Sequence, residues 1–307
     1  MKGLHVRNVI VLAATAAFFL PTAAAATLTQ VPDGEIVVTG ETRKQAERQA
    51  QAYIRQLGVA NGHTQAARWI GGVCPHVIGI RPEHAKLVER RIRDIATGAS
   101  VPLAREGCRG NLIIAFTDDG KAVARKISKM DLSPVARVSA SEADRIKNGD
   151  QPVRWWYNIS TQSSDGAGSV PLSPPGAAFA DASGNRADPP INDRTSVIAQ
   201  YNSSLVSTLT VRGITSATVV VDVERASGAS LASIIDYAAL VGLAEIRNGA
   251  APDGSILSLF KPAAAPKALS GRDEAFLKGL YKITLDRKAD QQQRTLVGQM
   301  IKETAAN

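Results

Sequence analysis

Histidine is scarce in this chain. Only His5, His63, His76 and His84 occur in 307 residues, so imidazole chemistry beyond the N-terminal segment must come from positions 63 to 84. Cysteine is scarcer still: Cys74 and Cys108 are the whole supply, which excludes an all-cysteine zinc knot or a multi-bridge scaffold. Aromatic residues make up 5% of the chain, so Ala, Val, Leu and Ile must fill any core. The motifs that dictate a catalytic spacing are missing. There is no G-x-S-x-G elbow, no G-x-x-x-x-G-K-[ST] loop, no G-x-G-x-x-G turn and no H-E-x-x-H. Ser258-x-x-Lys261 has the spacing of an acylated serine site, but no K-T-G follows it. No catalytic residue, cofactor or metal ligand is therefore assigned from motifs. One apolar run stands out, Val9 to Leu20, and it is shorter than the roughly 20 residues a spanning helix needs.

That run sits in a recognisable context. Lys2 and Arg7 precede it, and Pro21 and the small residues Ala24-Ala25-Ala26 follow. A basic start, an apolar stretch and an A-x-A site make residues 1–26 a cleavable signal peptide. The expectation is a periplasmic or secreted protein with no membrane span in the mature chain. In an oxidising compartment an isolated cysteine pair bonds, so a Cys74–Cys108 disulfide is expected. The formal net charge is +8, which suits an anionic partner. Acids and bases are nevertheless interleaved, as in Glu89-Arg90-Arg91-Ile92-Arg93-Asp94, the pattern of a solvated helix face. Aromatics are not spaced among the Arg and Lys as stacking platforms, so nucleic acid is not an expected partner. Another envelope protein or an anionic polymer remains.

Apolar spacing places helices after Thr42, from Pro82 to Gly98, after Asp119, over Ser139 to Lys147, over Ser230 to Ile246, after Ser270 and over Lys288 to Glu303. Strands are expected at Val77–Ile80, Asn111–Thr117, Val153–Ser160, Ser196–Asn202 and Ala217–Arg225. The last is apolar on both faces and so central. Strands and helices mix without strict alternation, which gives an α+β fold with a mixed sheet. Residues 27–160 form an N-terminal portion and 196–307 a C-terminal portion of the same domain. Between them, 161–195 is a flexible loop crowded with Pro, Gly and Ser.

Four residues draw notice as binding candidates. Asp236 is a carboxylate inside the most apolar helix, and it shares a face with Ser233 and Tyr237. It either bonds a local hydroxyl or backbone amide, or is a binding-site acid. Trp155 and Trp156 alternate on a strand, so one ring is core. The other is exposed, either gripping a sugar or a partner or roofing the sheet beneath the loop.

In the last third, the strand over 217–225 leads to the helix over 230–246. Asp253-Gly254-Ser255-Ile256-Leu257 follows, then Leu269-Ser270-x-x-Asp273-x-x-x-Leu277-x-x-Leu280-Tyr281. This succession resembles an uncharacterised zincin-like family of exported bacterial proteins. The resemblance implies a zinc helix carrying H-E-x-x-H. At that position this chain has Asp236-Tyr237-Ala238-Ala239-Leu240. Two imidazoles one turn apart and a proton-moving carboxylate are thereby lost. The resemblance thus implies a relative whose catalytic centre has degenerated. An unrecognised hydrolase (peptidase-like) site near Asp236, Asp222, Glu224 and the early histidines is the competing expectation.

Overall fold

The structure is a computed structural model that describes residues 42–129, 138–163, 207–208, 210–261 and 266–306. The expected signal peptide at 1–26, the strand expected at 196–202 and the expected loop beyond Ser163 lie outside the described residues. The described residues fall in one compact unit.

Helices α1 (Arg43–Leu57) and α2 (Pro82–Gly98) flank the short strands β1 (Ala67–Trp69) and β2 (Pro75–Ile78). Then come β3 (Leu112–Thr117), α3 (Gly120–Ser128), α4 (Ala140–Asn148), β4 (Val153–Ser163) and β5 (Thr210–Asp222). The chain ends with α5 (Leu231–Leu243), a 3-10 turn at Ile256–Ser258, α6 (Gly271–Lys282) and α7 (Ala289–Ala306). Strand β5 starts at Thr210 rather than Ala217, ahead of its apolar core, and β4 runs into the segment read as loop. The pairing of the two strands, Val153↔Val221 through Ser163↔Thr210, explains both extensions.

Strand β5 organises a mixed five-stranded sheet. One edge pairs antiparallel with β4. The other edge is shared: β1 runs parallel to its first half and β3 to its second. Strand β2 lies outside β3, also parallel. The α+β expectation holds, with the apolar run Val219-Val220-Val221 at the centre. The large core joins one face of the sheet to residues of α1, α2, α5, α6 and α7. A smaller cluster on the opposite face unites Ala124, Ile146, Trp156 and Val220 under α3 and α4.

Helix starts follow the sequence chemistry. Pro82 occupies the first turn of α2, where its missing N–H costs nothing. Asp119 accepts from Ala122 N at the start of α3, Ser139 from Glu142 N at α4 and Ser230 from Ser233 N at α5. Thr42-x-x-Gln45 has the spacing of a capping box, but the Thr42 hydroxyl makes no cap bond at the start of α1. The genuine capping box is at α6, where Ser270 and Asp273 exchange bonds.

The disulfide forms, with Cα atoms 6.0 Å apart. It ties the residue before β2 to the loop before β3. Asn111 holds the same corner, accepting from Cys74 N at 2.7 Å and donating to Gly72 O at 3.0 Å.

One residue on each of the outer strands β2 and β4 is capped by a side chain. Glu89 accepts the outward N–H of Val77 at 3.0 Å. Just before it, Val73 exchanges bonds with Pro102 and Ala104. On the far rim, Asn248 donates to Trp155 O at 2.9 Å and faces Trp155 N at 3.5 Å.

Candidate functional site

The helix singled out by the sequence, α5, is buried along nearly its whole length. It lies so close to β3 that a Cβ on Gly242 would stand 2.8 Å from Leu112 Cδ1. Only a glycine lets the backbone approach this far.

Asp236 is 3% exposed, and its oxygens are committed. Arg91 reaches across from α2, with Nε donating to Oδ1 at 2.9 Å and Nη2 to Oδ2 at 3.1 Å. Leu269 N donates to Oδ2 at 3.0 Å. The fork-on-carboxylate geometry satisfies a charge that burial would otherwise penalise. A backbone amide is among the partners, as one of the two sequence readings held, but the neighbouring hydroxyls are not. Ser233 instead donates to Lys267 O at 2.6 Å. One turn on from Asp236, Leu240 has no exposed surface at all.

Tyr237 is buried between Trp155, at 6.0 Å between ring centroids, and Phe260, at 5.7 Å. Trp155 Nε1 donates to Ile246 O at 2.8 Å. The two tryptophans do alternate faces, but the exposed ring expected of the pair is absent. Trp156 is 3% exposed, because α3 and α4 cover the second face. Neither tryptophan presents a surface to a ligand.

The early histidines do not join Asp236. His63 is exposed. His76 Nδ1 stands 3.8 Å from Glu89, and His84 Nε2 is 2.8 Å from Arg81 Nη2. Among the described residues, no three His, Cys, Asp or Glu side chains are grouped so as to hold a metal ion. Ser258 donates to Ser255 O at 2.7 Å while Lys261 bonds Asp253 at 3.0 Å. The two residues of that S-x-x-K match are thus turned to different partners.

Open α/β sheets commonly bind ligands beyond the C-terminal ends of their parallel strands. Here that end of β3 and β5 carries Asp222 and the fully buried Arg154. Asp222 accepts from Gly120 N and Arg225 N, both at 3.1 Å. Arg154 donates to Ile146 O at 3.1 Å and Gly149 O at 2.6 Å, and its Nη1 faces Asp222 at 3.9 Å. A Cβ on Gly120 would stand 2.7 Å from that nitrogen. The space between Asp222 and Arg154 is therefore taken up by their own ion pair. Glu224 lies in the exposed turn after β5, outside the pair.

A third polar centre joins the two conspicuous motifs of the last third. Asp273 is wholly buried. Its Oδ1 accepts from the hydroxyls of Tyr53 and Ser255. Its Oδ2 accepts from Ile256 N, Ser270 N and Ser270 Oγ, each at 2.9 Å. The Ser255-Ile256 segment and the Ser270-x-x-Asp273 turn are thus two halves of one carboxylate cradle. Sequence spacing identifies Asp273 as a cap residue. Its partnership with Tyr53 spans 220 positions and leaves no local signal.

Burial lifts the phenol pKa of Tyr53, Tyr157, Tyr237 and Tyr281 above the ordinary value of 10.0. A raised folded-state value means that the native state holds the phenolic proton more tightly than the unfolded chain does. This contribution is intact below pH 10 and declines as pH rises beyond it. These four tyrosines are expected to stay protonated until the chain unfolds in alkali, giving one cooperative step in phenolate absorbance. Reversible ionisation of several of them near pH 10 in folded protein would contradict the packing.

Compared with protein-family models, with curated proteins and with solved structures, the chain matches none of them.

Proposed function

We propose that this chain is an exported, non-catalytic protein of the bacterial envelope that works by binding. In this reading its C-terminal half is a zincin-like scaffold whose metal position has been given over to packing. The observation that carries it is the state of Asp236 and Leu240. The one residue there with an oxygen to offer a cation spends it on Arg91 and Leu269. The residue one turn on is a packed leucine. The Cys74–Cys108 bond supports export, since such bonds persist outside the reducing cytosol. No described helix is long and apolar enough to cross a membrane.

Elemental analysis tests the reading. Protein made through its own N-terminal segment, then dialysed without chelator, is expected to carry far less than one zinc per chain. One equivalent of zinc that disappears in Asp236→Ala would overturn the non-catalytic reading.

A further inference from the structure

An unassigned concentration of positive charge borders the disulfide. Residues Lys86, Arg90 and Arg93 repeat at i, i+4 and i+7 along α2, so they share one face and span about 10 Å. They form one wall of a cavity of about 420 Å3. Cys74, Cys108 and the loop at Glu106-Gly107 form the rest, with His76 and Glu89 between. Arg93 is fixed in place. Its Nη1 donates to Ala104 O at 3.0 Å and its Nη2 faces Cys108 Sγ at 3.7 Å.

The two acids lining the cavity are differently placed. Glu89 accepts from Val77 N–H and lies beside His76; its carboxylate offsets one of the three cations of the wall. Glu106 is exposed, and among the described residues it has no ion-pair partner. Lys86 and Arg90 likewise have no partner there. Other basic side chains that border packed elements are paired, among them Arg91 with Asp236, Arg212 with Glu245 and Arg225 with Asp222 and Asp150. A cavity of this size with unspent cations on one wall and a free carboxylate opposite selects for a particular chemistry. The cations suit a phosphate, which Arg binds with paired N–H groups. The carboxylate and His76 suit hydroxyl groups attached to it.

We infer that this cavity binds a phosphate ester of a polyhydroxy compound, either free or as a phospholipid headgroup. The inference rests on the binding-protein reading above and supplies the ligand class that reading lacks. Lys86 and Arg90 carry the contact, and Arg93 forms the floor.

The test uses the intact oxidised protein with two probes. Glucose 1-phosphate, followed by calorimetry, stands for the free ester. Vesicles of phosphatidylglycerol in phosphatidylcholine, followed by co-sedimentation, stand for the headgroup. At least one probe is expected to bind saturably. The double variant Lys86→Ala/Arg90→Ala is expected to weaken binding about tenfold or more. Lys44→Ala/Lys302→Ala, an equal charge change on exposed positions elsewhere, is expected to leave it within about twofold. Binding to glucose 1-phosphate alone identifies the free ester, and binding to vesicles identifies the headgroup. Failure of both probes, equal losses in the two double variants, or equal binding of unphosphorylated glucose would overturn the assignment. Zinc in a protein that binds the probes normally would overturn only the non-catalytic reading. A zinc-free protein that ignores both probes would overturn only this inference.

Discussion

Replacing Asp273 by alanine is expected to cost about 3–5 kcal/mol, the largest effect of any single polar substitution in the described residues. The magnitude follows from what is left behind. Three hydroxyls and two backbone N–H groups, from Tyr53, Ser255, Ile256 and Ser270, lose their acceptor in a place water cannot readily reach. Because domains of this size are stable by only about 5–15 kcal/mol, the variant should sit near the edge of folding. Tyr53→Phe removes one donor and leaves the rest of the cradle satisfied, so about 1 kcal/mol is expected. Urea unfolding measures both, read at unchanged m-value. In a double-mutant cycle, Tyr53→Phe should lose most of its effect once Asp273 is gone. An Asp273→Ala midpoint close to that of the parent chain would mean the cradle contributes little.

Opening the disulfide comes next in size. Cys74 and Cys108 are 34 positions apart, and in the chain-entropy account a loop of that length is worth about 3–4 kcal/mol. Cys74→Ser is expected to lower the melting temperature by an amount that reduction of the parent protein reproduces. Thiol titration of the native parent should find none, and two after reduction and unfolding. Two titratable thiols in untreated protein, with melting unchanged by the substitution, would refute the bond and weaken the case for export.

Much of the architecture is legible in the sequence because its signals are local. The stripe Val88, Ile92 and Ile95 defines α2, the residue pair Ser270 and Asp273 starts α6, and Val219-Val220-Val221 identifies the central strand. Strand β1 escapes notice, since Ala67-Arg68-Trp69 is too short to show a period. Helix α4 is legible as a polar helix, but with only Ile146 buried in it nothing in the sequence shows that it packs on the sheet. Without knowing that α3 and α4 lie over the second face, one tryptophan must be taken as exposed, and Trp156 is not. The candidate site is less legible still. Asp236 is conspicuous as an acid in an apolar helix, but Arg91 looks like one of many solvated bases on α2. Their meeting across 145 positions is a fact of tertiary packing that no spacing encodes. The same holds for Arg154 and Asp222, separated by most of β4, the intervening segment and β5.

The side-chain caps on β2 and β4 have a bearing on how this molecule behaves in company. A bare strand edge invites a second chain to extend the ladder, the first step toward domain swapping and fibre growth. At Val77 and at Trp155 the invitation is withdrawn: a glutamate and an asparagine already stand where a foreign backbone would dock. Each plug arrives from a different element, α2 in one case and the turn after α5 in the other. These two positions are therefore sealed only once those elements have docked, and an incompletely folded copy is the form most open to self-association.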